Sequence, residues 1–156
     1  MSGIFRECVS LETLDISTWD LSNIERLDYF IHNCNKLKNL YLPENIEKKD
    51  MSNFFYGCYS LPDELFNNLD WTKVESVNQT FGGMKNRESI DLSGIVTNTF
   101  TDMGYMFSGS SMKYINIPNI DSSNCNNFRR IFDSNTLIAV NGVLDFIKFN
   151  DSYYAT

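Results

Sequence analysis

Residues 1–24 read MSGIFRECVSLETLDISTWDLSNI, and the return of this pattern further along the chain decides the fold. Its apolar residues come back in the same order from Leu27 onwards. The matched positions are Met1, Ile4, Phe5, Cys8, Leu11, Leu14 and Ile16, and then Leu27, Phe30, Ile31, Cys34, Leu37, Leu40 and Leu42. A third copy starts with MSNFFYGCYSL at residues 51–61. Self-similarity at a period of roughly 20 to 50 residues indicates a repeat architecture.

Further copies begin at Val77, Met103 and Phe128, so the repeat accounts for the whole chain. We predict a single array over 1–156, with units at about 1–26, 27–50, 51–76, 77–102, 103–127 and 128–156. One such unit has only one apolar face, and ordering each residue costs about 1–2 kcal/mol, so the units must stack to be stable. Stacking would bury one column, made of Phe5, Ile31, Phe55, Phe81, Phe107 and Phe132.

The apolar spacing changes within each unit. Before the cysteine it is helical, as in Ile24, Leu27, Phe30, Ile31 and Cys34, and it predicts a short helical turn. Two Ser/Thr-x-x-Glu capping boxes, Ser22 with Glu25 and Thr72 with Glu75, would start such turns. After the cysteine, Leu-x-x-Leu-x-Leu alternates as a strand does. We therefore predict an α/β repeat solenoid with a parallel sheet on one face and short helical turns on the other.

The repeat resembles that of the BspA-like leucine-rich repeat proteins. Their unit reads approximately Met-x-x-Met-Phe-x-Gly-Cys-x-x-Leu-x-x-Leu-Asp-Leu-Ser-x-Trp-Asp-x-Ser-Asn-Val, and residues 1–24, 51–60 and 103–109 match it best. Met84 replaces the cysteine of the fourth unit, and Arg87 stands where leucine is expected. The resemblance implies a leucine-rich repeat solenoid, a location at the cell surface or outside the cell, and a role in attachment.

Composition excludes several classes of function. The formal charge is −7 and the isoelectric point is near 4.6. Nucleic-acid binding requires Lys and Arg gathered on one face, so we expect no nucleic-acid partner. The longest charge-free stretches, such as residues 134–144, are shorter than the ~20 residues that cross a bilayer. We therefore expect no membrane insertion, and no signal-peptide pattern opens the chain.

The sequence contains few of the residue patterns that catalysis or metal binding requires. His32 is the only histidine; we place it on the polar, exposed side of its turn, without a nucleophile signature. No two cysteines have metal or redox spacing, so we expect free core thiols. The aspartates form no calcium loop and suit turns; they are Asp15, Asp20, Asp70, Asp91 and Asp121. We expect a non-enzymatic protein without metal or cofactor.

The outward positions of the predicted sheet are the candidate binding face. Alternation sends Leu14 and Ile16 inwards and Asp15 outwards, and later units follow the same pattern. The candidate ligand-binding residues are Asp15, Asn39, Tyr41, Asp91, Tyr114 and Asn116. Tyrosine supplies much contact area at low entropic cost, which favours a protein or glycan ligand. The alternative is a solvated sheet without a ligand.

Two other classes of function remain open. Met1 falls inside a unit without a polar cap, so we expect a segment of a longer array, or self-association end to end as a structural component. The acidic charge also allows an intracellular inhibitor of a basic partner, although interspersed Lys and Arg oppose a concentrated acidic patch.

Overall fold

Short strands and turns make up the described part of the chain. The computed structural model describes residues 2–24, 26–43, 46, 50–135, 137 and 139–141. Within them lie the strands β1 (Thr13–Asp15), β2 (Asn39–Tyr41), β3 (Ser89–Asp91), β4 (Tyr114–Asn116) and β5 (Ala139–Asn141), and one helix, α1 (Asp63–Asn67). Residues 142–156, which form the larger part of the predicted sixth unit, lie outside the described residues.

All strand pairs are parallel and join segments one repeat apart. Leu14 of β1 pairs with Leu40 of β2, and Ile90 of β3 pairs with Ile115 of β4, which in turn pairs with Val140 of β5. A second ladder of single parallel bridges links Asp50, Ser76, Asp102 and Asn127 in that order. After each interval of 25 or 26 residues, the chain therefore returns to lie beside its own preceding segment.

Alternation along the strands and a stack of rings build the core. The central residues of β1 to β4 are buried, and their flanking residues are exposed or half-buried. The rings of Phe55, Phe81, Phe107 and Phe132 follow one another at centroid distances of 6.0, 6.0 and 5.8 Å, within 17° of parallel. The predicted aromatic column is confirmed for these four rings. Phe5 instead meets Phe30 edge-on at 5.3 Å.

The segments predicted as helical turns are consecutive hydrogen-bonded turns, and the helix prediction is wrong there. In the described residues each segment carries two left-handed residues four positions apart. The pairs are Gly3 and Glu7, Tyr29 and Asn33, Asn53 and Gly57, Gln79 and Gly83, Tyr105 and Gly109, and Arg130 and Ser134. The left-handed conformation lets an amide bond to the next unit. Asn33 N donates to Tyr56 O at 2.7 Å, and Gly57 N donates to Gly82 O at 2.9 Å.

The proposed capping boxes are aspartate turns. The backbone N–H of Thr72 and its hydroxyl both donate to Asp70 Oδ1, at 2.9 and 2.6 Å. Ser22 N donates to Asp20 Oδ1 at 2.9 Å, and Glu25 lies outside the described residues. The chain turns at Thr72 and does not continue as a helix, and the Thr72–Glu75 pair is replaced by the bonds that Thr72 makes to the aspartate two residues earlier. Asp15, Asp91 and Asp121 accept the same bond, which confirms the predicted turn role of these aspartates.

A helix occupies the strand position of the third unit, so the expectation of a strand in every unit is wrong there. Pro62 precedes α1 in an extended conformation and has no N–H to donate to a strand ladder. Phe66 of α1 is fully buried and meets Phe55 and Phe81 edge-on, each at 5.1 Å. The sheet is therefore divided into a two-stranded part, β1–β2, and a three-stranded part, β3–β4–β5.

Candidate binding face

The first part of the candidate face lies on β1 and β2. Tyr41 is 53% exposed and pairs in register with Asp15, while Asn39 donates from Nδ2 to Thr13 Oγ1 at 3.2 Å. Asp15 Oδ1 accepts hydrogen bonds from the hydroxyl and the backbone N–H of Ser17, at 2.7 and 3.0 Å. These bonds lower the pKa of Asp15, so it presents a fixed negative charge beside the tyrosine.

The second part lies on β3, β4 and β5. Tyr114 is 48% exposed at the outward start of β4. Asn116 donates from Nδ2 to Asp91 Oδ1 at 2.8 Å, and its own Oδ1 accepts from Asn141 Nδ2 at 2.7 Å. Burial of Asp91 opposes ionisation, but the hydrogen bonds from Ser93 and Asn116 outweigh it and lower the pKa of this carboxyl. The result is a row of amides that ends on a carboxylate.

Asn141 was not among the residues predicted for the face. A signal for it was present, because residue 141 lies 25 positions after Asn116, one repeat further on. The structure brings Asp15 next to Tyr41, and Asp91 next to Asn116. It does not bring all six predicted residues into one sheet, because α1 separates the two parts. The candidate face is therefore two short patches, each with one exposed tyrosine.

Lysines neutralise the acidic side chains beside both patches. Lys38 Nζ lies 3.2 Å from Glu12 Oε2, just before β2 and β1, and Lys113 Nζ lies 2.6 Å from Glu88 Oε1, just before β4 and β3. The hydrogen bond to Glu88 and its negative charge raise the pKa of Lys113. These pairs are exposed and add little stability, but they remove concentrated negative charge from the face.

His32 is not on the surface, so that prediction is wrong. Its residue is only 8% exposed, and its ring stacks on Tyr56 at 4.5 Å with an interplanar angle of 2°. Tyr56 occupies the next unit at nearly the same position of the repeat, and its ring covers the imidazole. A spacing pattern within one unit does not show which large side chain a neighbouring unit supplies.

The cysteine thiols are free and serve as core residues. Cys34 Sγ donates to Phe5 O at 2.9 Å, and Cys58 Sγ donates to Ile31 O at 3.0 Å, each reaching the preceding unit. Burial raises the pKa of Cys34 to about 11 and that of Cys58 further. Because the thiolate is the reactive form, these two side chains are poorly suited to nucleophilic chemistry.

A polar cleft of about 580 Å³ lies between the return loops of the third to fifth units. Its lining residues are Thr72, Lys73, Glu75, Asn98, Thr99, Thr101 and Asn124. The hydroxyl of Thr99 donates to Val74 O at 2.6 Å, and Asn124 Nδ2 donates to Asn98 O at 2.6 Å. These donors hold neighbouring loops together, so we assign the cleft to the scaffold.

Over the part of the chain that the structure describes, no cluster of three or more His, Cys, Asp or Glu residues is arranged to hold a metal ion. Among the same residues, no helix has the length and apolarity to cross a membrane.

A family model described as "Mycoplasma protein of unknown function, DUF285" matches residues 1–48 and 41–144. The chain belongs to this family. The DUF285 assignment agrees at the family level with the resemblance to BspA-like surface repeat proteins. No curated protein and no solved structure matched this DUF285 chain.

Proposed function

We propose that the chain is a non-enzymatic leucine-rich repeat module that binds a protein or glycan through the outward face of its strands. The observation that carries this proposal is the half exposure of Tyr41 and Tyr114 at outward positions of paired parallel strands. An exposed tyrosine offers a broad amphipathic contact with few rotatable bonds, and tyrosines are enriched at binding hot spots.

The repeat geometry supports the solenoid part of the proposal. Parallel pairing of segments one repeat apart, the bridges from Asp50 to Asn127 and the stacked phenylalanine rings are the arrangement expected of stacked coils. The BspA-like sequence pattern favours display at the cell surface or outside the cell. An acidic inhibitor of a basic partner is less well supported, because Lys38 and Lys113 pair with the glutamates beside the face.

Removal of both tyrosines tests the proposal. The full chain and its Tyr41→Ala, Tyr114→Ala double variant are applied to arrays of purified glycans and purified extracellular proteins. We expect the double variant to lose at least about tenfold in affinity for the ligand of the wild-type chain, because a hot-spot aromatic contributes about 2 kcal/mol. Its free energy of unfolding should change by no more than about 0.5 kcal/mol per site, since both rings are half exposed.

The matched control is Val9→Ala with Val96→Ala, which also removes two exposed apolar side chains but lies outside the strands. This control should bind as the wild type does. Equal binding by the tyrosine variant would exclude the face. Binding that collapses on addition of salt and ignores the tyrosines would instead favour the inhibitor function.

A further inference from the structure

A row of aromatic and cationic side chains crosses the turn segments of the first three units. The Arg6 guanidinium lies over the Tyr29 ring, with Cζ 5.6 Å from the ring centroid. The rings of Tyr29 and His32 are 5.2 Å apart, and His32 then stacks face to face on Tyr56. We call these four side chains the His32 row. His32 thus lies between a tyrosine of its own unit and a tyrosine of the next.

The far side of Tyr56 is closed by glycine backbone. A Cβ built on Gly82 would lie 3.0 Å from Cδ2 of the Tyr56 ring, and one built on Gly83 would lie 2.5 Å from its Cζ. The tyrosine ring is therefore held between the imidazole on one side and the backbone of the fourth unit on the other. A displacement of the His32 ring would therefore break its stack on Tyr56.

The site is built for a neutral imidazole. His32 Nδ1 is buried and has no hydrogen-bond partner in the described residues. The charged groups that face it come from the first unit: Arg6 is unfavourable to a second positive charge, and Glu7, paired with Arg6 at 3.3 Å, is favourable. From its own and the next unit it meets the rings of Tyr29 and Tyr56. Burial first, and Arg6 second, lower the pKa of His32.

We propose that His32 is an acid-responsive element whose protonation loosens the turn segments of the first three units. The chain has one histidine, and no other side-chain type has its ordinary pKa between pH 5 and pH 8. Among the side chains, the imidazole of His32 is therefore the group expected to change charge in this range. The carboxyl groups of Asp15, Asp70 and Asp91 have lowered pKa values, so they titrate in a more acidic range.

The direction of the effect follows from the lowered pKa. The unfolded chain binds a proton at His32 near pH 6.5, whereas the folded chain binds it only at lower pH. The contribution of neutral His32 to stability is therefore complete above about pH 6.5 and is lost as the pH falls below that value. The form in which the turn segments of the first three units have separated should therefore be more populated at pH 5.5 than at pH 7.5, by at most about tenfold, a limit set by the unfolded pKa.

The first measurement is an NMR titration of the single imidazole in the full chain. We expect a midpoint below 6.5. Hydrogen exchange measured at pH 7.5 and 5.5, corrected for intrinsic rates, should then be faster at Glu7 and Asn33 at the lower pH, by up to about tenfold. These amides bond to His32 O and Tyr56 O, each at 2.7 Å, and so report on separation of the first three units.

Three variants test the cause. Arg6→Gln removes the repelling charge and should raise the titration midpoint, while Glu7→Gln removes the attracting charge and should lower it; both side chains are more than half exposed, so folding is not at risk. His32→Phe keeps a ring against Tyr56 and should abolish the acceleration between pH 7.5 and 5.5. A wild-type midpoint at or above 6.5 overturns the proposal. So does a result in which Arg6→Gln fails to raise the His32 midpoint or Glu7→Gln fails to lower it. An unchanged acceleration in His32→Phe also overturns it. If that variant does not fold, the two charge variants decide.

Discussion

Arg87 shows how one residue adapts a repeat to an irregular neighbour. Its Nε donates to Ser89 O at 2.8 Å, its Nη1 donates to Leu61 O at 2.5 Å, and its Nη2 pairs with Asp63 at the start of α1. The guanidinium also lies over the Phe66 ring, with Cζ 5.5 Å from the ring centroid. With only 11% of its side chain exposed, Arg87 ties the third unit to the fourth.

Arg87→Met should lower the free energy of unfolding by about 1.5–3 kcal/mol, because it removes the hydrogen bonds that a charged, largely buried group makes to Leu61 O and Asp63. The control is Arg129→Met, which removes an exposed guanidinium from above the Tyr105 ring and should cost about 0.5 kcal/mol or less. Urea unfolding measures both. Equal losses would show that the buried bonds of Arg87 contribute nothing.

At the scale of the element, two glycines at equivalent positions of neighbouring turn segments, Gly83 and Gly109, differ in their contact with the Tyr56 ring. Gly83 and Gly109 have nearly the same left-handed φ, +65° and +68°. Their surroundings differ, since a Cβ at Gly83 would overlap the Tyr56 ring, whereas at Gly109 the nearest atom, Tyr56 Oη, would be 3.8 Å away. The two glycines therefore share the backbone requirement and differ in packing.

Gly83→Ala should destabilise more than Gly109→Ala. Both variants incur about 1–2 kcal/mol for a side chain in the left-handed region. Gly83→Ala adds about 1–3 kcal/mol for displacement of the Tyr56 ring from its site. Thermal unfolding of the two variants gives the difference directly, and the same loss in both would mean that the Tyr56 ring moves aside freely.

The sequence predicted the elements that depend on spacing and missed those that depend on a neighbouring unit. Buried Ile90 and outward Asp91 follow from alternation, and the stacking of Phe81 on Phe107 follows from the period. The left-handed Tyr29 was not predictable, because nothing in a tyrosine's own chemistry favours positive φ. Its two neighbours in the chain are bonded to the first unit, Asp28 O by Gly3 N and Phe30 O by Phe5 N, at 3.2 and 2.9 Å. The helix α1 was missed because the repeat pattern of the third unit did not reveal that Phe66 would fill the strand's place in the core.

The same distinction applies to the candidate face. Tyr41 and Tyr114 were placed outwards correctly, since one-residue alternation fixes their side of the strand. The division of the face was not foreseen, because it depends on how the third unit fills its core.

At the scale of the whole molecule, the column of stacked phenylalanine rings holds neighbouring units together. Phe81 stacks between Phe55 and Phe107 and also meets Phe66 and Trp71, at 5.1 and 6.0 Å. It therefore joins three consecutive units at one point. In a stacked repeat, stability is a sum of terms between nearest neighbours, so this position couples the two halves of the chain.

Phe81→Ala should cost about 3–5 kcal/mol, a large share of a total that is about 5–15 kcal/mol in globular proteins. Phe132→Ala, at the half-buried last ring of the described stack, should cost clearly less. Denaturant unfolding followed by circular dichroism measures both. The milder Phe81→Leu serves if the alanine variant does not fold, and a loss no greater than that of Phe132→Ala would contradict the coupling.

The packing of Tyr56 against Gly82 and Gly83 also limits which repeat units can follow one another in the chain. A unit that carries this tyrosine packs best before a unit with glycine at both facing positions, because a Cβ at either one would crowd the ring. An exchange of units that separates Tyr56 from Gly82 and Gly83 would therefore cost stability even where the repeat period is kept.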